Sequence, residues 1–140
     1  MKILVKKLHP DAVIPKFAHK GDAAVDVFSL EGHIIKPGQR HSFKTGLAIE
    51  LPEGYAALVW EKSGLSVNHG LQILAGVIDS NYRGEWLMTL LNSSNKDYEV
   101  KKGDKLANVV IQKVESPEII EVEELSDTER GDGGFGSTGR

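Results

Sequence analysis

Apolar residues come in short groups along the chain, and turn-forming residues stand between them. The start, MKILVKKL, alternates apolar and charged positions, and further apolar stretches recur at AVDVFSL, HII, GLAIEL, YAALVW, LQILAGVI, WLMTLL, KLANVVIQKV and IIEVEEL. The separators are Lys36-Pro37-Gly38, Pro52-Glu53-Gly54, Tyr82-Arg83-Gly84 and Lys102-Gly103-Asp104. Runs of this length bounded by Gly, Pro and Asp predict strands and tight turns. Many of them at close intervals predict an all-β jelly roll, sandwich or barrel. A helical period is kept only for a turn or two near residues 63–69. No repeat or linker interrupts the pattern, so a single β domain is expected over residues 1–125.

The pattern stops near Ser126. SDTERGDGGFGSTGR has one aromatic and no aliphatic residue, so residues 126–140 cannot build a core and are expected to form a mobile arm. Within it, Gly131-x-Gly133-x-x-Gly136 has the spacing of a dinucleotide fingerprint. That fingerprint needs a strand before it and a helix after it to carry the pyrophosphate. Only four residues follow Gly136. A Walker loop fails as well, because its Lys would fall at position 137, which is Ser. What remains is a flexible backbone flanked by Arg130 and Ser137-Thr138, with Phe135 between glycines. These groups suit gripping anions and stacking on a flat ring.

Composition narrows the field. The 140 residues are 40% hydrophobic and 26% charged, as in an ordinary globular domain. A net charge of −3 gives no support to general nucleic-acid binding. No apolar run approaches the ~20 residues of a membrane span, and Lys6-Lys7 interrupt the only N-terminal run that could resemble a signal peptide. The absence of cysteine excludes disulfides and thiol chemistry, and a cytoplasmic protein is expected. His9, His19, His33, His41 and His69 lack metal-ligand spacing.

Candidate chemistry gathers in four further stretches. AGVIDSNYRGEW is expected to be a hairpin, with Asp79 where strand gives way to turn and Tyr82 near the tip. Taken singly, Asp79 would be a turn cap and Tyr82 an edge aromatic. WEKSGLSVNHG delivers Lys62, Ser63 and Gly64 at a strand end: a cation, a hydroxyl and unhindered N–H groups, or simply a solvated turn. Asp26 in GDAAVDVFSLEG is either an outward residue of an alternating strand or a charge held for a cation. KKGDKLANVVIQ places Lys105 and Asn108 after a Gly-Asp turn.

Together and in order, GDAAVDVFS, EKSGLS, GVIDSNYRG, KGDKLANVVI and RGDGGFGSTG resemble the five motifs of the homotrimeric dUTP diphosphatases (dUTPases). The resemblance covers nearly the whole chain, most distinctively in the third and fifth motifs. It implies a jelly-roll protomer in a homotrimer with shared interfacial sites, hydrolysing dUTP to dUMP and pyrophosphate with Mg²⁺. It further implies that Asp79 orients the attacking water, Tyr82 packs beneath the deoxyribose, and the backbone of Gly76, Val77 and Ile78 bonds uracil. Lys62, Ser63, Gly64 and Asn108 would hold phosphates, and Asp26 would hold Mg²⁺ through a water. Phe135 would stack on uracil while Arg130, Gly136, Ser137 and Thr138 close over the phosphates.

The chain departs from the family pattern at Lys62 and Lys105, where Arg is usual, at Asn108, where Gln is usual, and at Ile73, where some members carry Asn. A lysine is a point charge and cannot reproduce the bidentate fork of Arg. These departures leave open a weak or inactive nucleotide-binding or partner-binding module. The related dCTP deaminases are a further alternative, although Asp79 stands where that family uses Glu.

Overall fold

The computed structural model describes residues 1–139. Its elements are β1 (Leu4–Lys7), β2 (Val25–Phe28), β3 (His33–Ile35), β4 (Arg40–Glu50), β5 (Tyr55–Trp60), α1 (Ser63–His69), β6 (Leu71–Leu74), β7 (Val77–Asp79), β8 (Glu85–Asn92), β9 (Tyr98–Val100) and β10 (Lys105–Lys113). Two antiparallel four-stranded sheets, ordered β1-β4-β8-β6 and β2-β10-β5-β7, are joined by the small pair β3-β9. The architecture is an all-β jelly-roll sandwich.

Alternation decides what lies between the sheets. Along β8, Trp86, Met88, Leu90 and Asn92 point inward, and along β4 Phe43, Leu47 and Ile49 do the same. Val27, Leu106 and Val109 close the core from the second sheet. The one buried amide, Asn92, is fully engaged: Nδ2 donates to Ile35 O at 2.8 Å and Lys96 O at 2.7 Å, and Oδ1 accepts from Ser94. The predicted turns are present, with Gln39 N–H donating to Lys36 O, Tyr55 N–H to Pro52 O and Asp104 N–H to Lys101 O. The short helical stretch is also present, as α1.

Two expectations fail. AGVIDSNYRGEW is no hairpin: β7 pairs with β5, while β8 runs between β4 and β6 in the other sheet. Residues 80–84 therefore arch from one sheet to the other, because each strand already has a better edge to join. IIEVEEL forms no strand either. From 114 to 139 the described residues form no helix or strand, and Ile119 and Leu125 are almost wholly exposed. Its alternating pattern suits a strand, but no edge of the same protomer receives it, and unpaired strands do not persist in water. Among the described residues no helix is long and apolar enough to cross a membrane.

Candidate active site

Register brings the first group together. Asn108 on β10 lies opposite Asp26 on β2 and opposite Trp60 on β5, so the end of β5 delivers Lys62 beside both. Lys62 Nζ donates to Asp26 Oδ1 at 2.5 Å and to Asn108 Oδ1 at 3.1 Å, and Lys105 Nζ lies 2.7 Å from Asp26 Oδ2. Asn108 Nδ2 donates to Glu61 O. The Asp26 side chain is 5% exposed. Burial alone would push its carboxyl up, but hydrogen bonds from Lys105 and Lys62, with their charges, outweigh burial and hold it below the ordinary aspartate range. Asp26 is thus the buried counter-ion of two ammoniums, not an outward-facing residue. Its neighbour is an open cavity of about 490 Å³, walled by these four side chains and by Ala18, His19, Asp22, Ala23 and Ala24.

Ser63 and Gly64 open α1 beside this cavity, both exposed, and no side chain caps the helix start. His19, set aside in the sequence for want of metal-ligand spacing, lines this cavity because β2, β10 and the residue just before α1 meet beside it, which no spacing betrays.

The second group surrounds the arch. Only one edge of β7 is paired, with Val77 opposite Leu58, Ile78 opposite Ala57 and Asp79 opposite Ala56. Val77, Ile78 and Asp79 also line a crevice of about 230 Å³, together with Tyr82, Glu85, Trp86 and Leu87. Gly76 lets the chain cross β5 closely: its carbonyl accepts from Val59 N–H at 2.7 Å, and a Cβ would stand 3.1 Å from Val59 O. Gly84 serves Tyr82, whose ring folds back so that its hydroxyl donates to Glu85 O at 3.1 Å. A Cβ on Gly84 would overlap that hydroxyl and the ring carbons.

The two groups do not meet within one protomer. Asp79 lies opposite Ala56 and Asn108 opposite Trp60. Four residue steps of β5 separate these rows, about 13 Å along the strand at ~3.3 Å per residue. The arm residues Arg130, Phe135, Gly136, Ser137 and Thr138 join neither group. Among the described residues, backbone bonds from position 128 onward are local turns, Arg130 Nε donates to Gly133 O, and Phe135 is fully exposed at a φ of +50°.

The family model for dUTPase matches residues 11–139. The chain belongs to the dUTPase family. The deoxyuridine 5'-triphosphate nucleotidohydrolase of Nautilia profundicola is 51% identical, with all of both chains covered. The dUTPase of Staphylococcus bacteriophage 80alpha, solved with dUpNHpp, superposes with a TM-score of 0.92 at 32% identity over 99% of each chain. A mutant dUTPase from phage phi11 of S. aureus, whose structure reveals coordination of a structural Mg(II) ion, superposes at 0.82 with 30% identity, covering 89% of this chain and 98% of its own.

Proposed function

We propose that this dUTPase hydrolyses dUTP to dUMP and pyrophosphate by attack of water on the α-phosphorus, with Mg²⁺ carried on the triphosphate. The observation that carries the reading is the splayed arch. Because β7 and β8 belong to different sheets, β7 stands at a sheet edge and lines a crevice together with Asp79 and Tyr82. Fixed amide donors and acceptors on such an edge can match the polar edge of uracil and leave buried groups unpaired against cytosine. Tyr82 packs beneath the deoxyribose and leaves no room for a 2′-hydroxyl. Asp79, exposed at the strand end, orients the attacking water in line with the leaving group.

Lys62, Ser63, Gly64 and Asn108 hold the phosphates. Residues 126–140 act as an arm that closes over bound substrate, Phe135 stacking on uracil and Arg130, Gly136, Ser137 and Thr138 gripping the phosphates. A segment without a core orders only when a ligand supplies its contacts.

The residues present fit Mg²⁺ in one way. Among the described residues no group of three or more His, Cys, Asp or Glu could hold a metal ion, and Asp26 is already neutralised by two lysines. A standing metal site is not supported. An ion that arrives on the triphosphate and keeps its waters needs only one carboxylate, reached through a water, and Asp26 fits that role. Bound there, Mg²⁺ would neutralise charge on the departing pyrophosphate.

The separation of Asp79 from Asn108 and Lys62 supports a homotrimer. A water-orienting carboxylate and an α-phosphate ligand must lie within a few ångströms of one phosphorus, and one protomer keeps them about 13 Å apart along β5. A site assembled from the arch of one copy and the cations of another satisfies both. We place the reaction in the cytoplasm, where it limits uracil entry into DNA and supplies dUMP for thymidylate synthesis.

The test is pyrophosphate release from dUTP with Mg²⁺, run beside dCTP, dTTP and UTP, with Asp79→Asn as control. Release from dUTP alone, lost in the variant, is expected. Nucleotide binding without release would leave a binding module, and ammonia release from dCTP would indicate a deaminase. Mixed trimers of Asp79→Asn and Phe135→Ala chains should regain activity if the arm serves a neighbouring site.

A further inference from the structure

We infer that Arg83 is a positioning residue for the reaction, fixing the arch that carries Asp79 and Tyr82; the inference rests on the proposed dUTP hydrolysis. The arch is short, exposed and attached to different sheets at its two ends, so the packing of neither sheet determines its shape. Its own backbone makes one closing bond, Tyr82 N–H to Asp79 O at 3.2 Å. The Tyr82 hydroxyl adds its bond to Glu85 O, and Arg83 supplies the others. Its Nη1 donates to Ser80 O at 2.6 Å and to Tyr82 O at 3.1 Å, and its Nε lies 3.6 Å from Glu50 Oε2 at the end of β4. One guanidinium thus ties two carbonyls of the arch to a third strand, on the wall of a cavity of about 540 Å³ that also contains Asp79.

The chemistry requires Arg. Two carbonyls and a carboxylate around one planar group use donors in fixed directions, whereas a lysine ammonium presents a single point charge. The effect is on geometry far more than on stability. Arg83 and Glu50 are each about half exposed, at 53% and 52%, and exposed pairs of this kind contribute little to folding. The carbonyls that Arg83 releases would be met by water. A carboxylate that orients an attacking water, however, loses its effect when displaced by about 1 Å. Arg83 is therefore expected to matter for turnover while leaving the fold intact.

The experiment combines kinetics with hydrogen exchange on the assembled protein. Arg83→Ala should lower kcat by about ten- to a hundredfold with KM changed less and the melting temperature preserved. Arg83→Lys should recover little of the loss, and Glu50→Gln should give an intermediate value. In an Asp79→Asn background, Arg83→Ala should add almost nothing to the loss of kcat, because the carboxylate through which it acts on turnover is already absent. Without nucleotide, the Tyr82 amide should exchange faster in Arg83→Ala by about tenfold. Full turnover in Arg83→Ala, losses that multiply in the double variant, or unchanged exchange at Tyr82 would each overturn the inference. Exchange needs no substrate, so it judges the pinning of the arch even if the wild-type protein fails to release pyrophosphate from dUTP.

Discussion

Replacing both Lys62 and Lys105 with Ala strips Asp26 of its partners while the carboxylate stays buried. The wild-type arrangement has ammoniums at 2.5 and 2.7 Å from the two oxygens of a side chain that is 5% exposed. Breaking a buried pair by removing one partner costs about 3–5 kcal/mol. The open cavity beside Asp26 admits water, so the lower end, about 3 kcal/mol, is expected here. Each single variant keeps one ammonium and should lose roughly 1 kcal/mol. Lys62→Ala should lose more than Lys105→Ala, because Lys62 is 24% exposed and Lys105 45%. Adding Asp26→Asn to the double variant removes the buried charge and should restore about 2 kcal/mol.

The assay is urea unfolding of the assembled protein at fixed protomer concentration. The pH dependence follows from the direction of the Asp26 shift. In the wild type its folded carboxyl lies below the ordinary aspartate value of 3.8. Its contribution is complete above that value and is lost as pH falls through the lower folded one. Unpaired in the double variant, the same carboxyl is raised by burial, and acidification relieves its penalty. The stability gap is therefore widest at neutral pH and narrows in acid. A double variant within about 1 kcal/mol of wild type at pH 7, or one that Asp26→Asn does not rescue, would refute the reasoning.

Gly84→Ala should move the Tyr82 ring off the arch with little effect on stability, since that ring is 44% exposed. Steady-state kinetics should show a several-fold rise in KM for dUTP and a weaker preference over UTP; unchanged selectivity would detach Tyr82 from the sugar. Among the described residues Trp86 Nε1 is a buried donor with no acceptor, a state that costs about 1–3 kcal/mol. Trp86→Phe should accordingly unfold within about 1 kcal/mol of wild type, against about 3–5 kcal/mol lost in Trp86→Ala; a large loss in Trp86→Phe would mean that the indole N–H has a partner in solution.

Much of this protein could be read along the chain because strands and turns are local. Short apolar runs bounded by Gly, Pro and Asp turns predict strands at β4, β5, β8 and β10, and the brief helical period predicts α1. The arm is expected from composition alone, since residues 126–140 hold one aromatic and no aliphatic residue. The motif residues could be named for the same reason: a resemblance in order and spacing needs no coordinates.

Distance and burial were out of reach. Asp26 stands in the strand VDVF, whose four residues are all buried, so alternation could not say which way it points. Its lysines arrive from β5 and β10 through strand register, which exists only once the sheet has formed. The apolar runs on either side of Asp79 look like a hairpin because each has strand character. Pairing depends on which edge each run finds, and they found different sheets. IIEVEEL shows the same limit from the other side, with a strand pattern and no edge in its own protomer. Side-chain periodicity is a property of one segment, whereas a partner edge, a buried charge or an arch between sheets is a property of several, and only the tertiary structure brings those together.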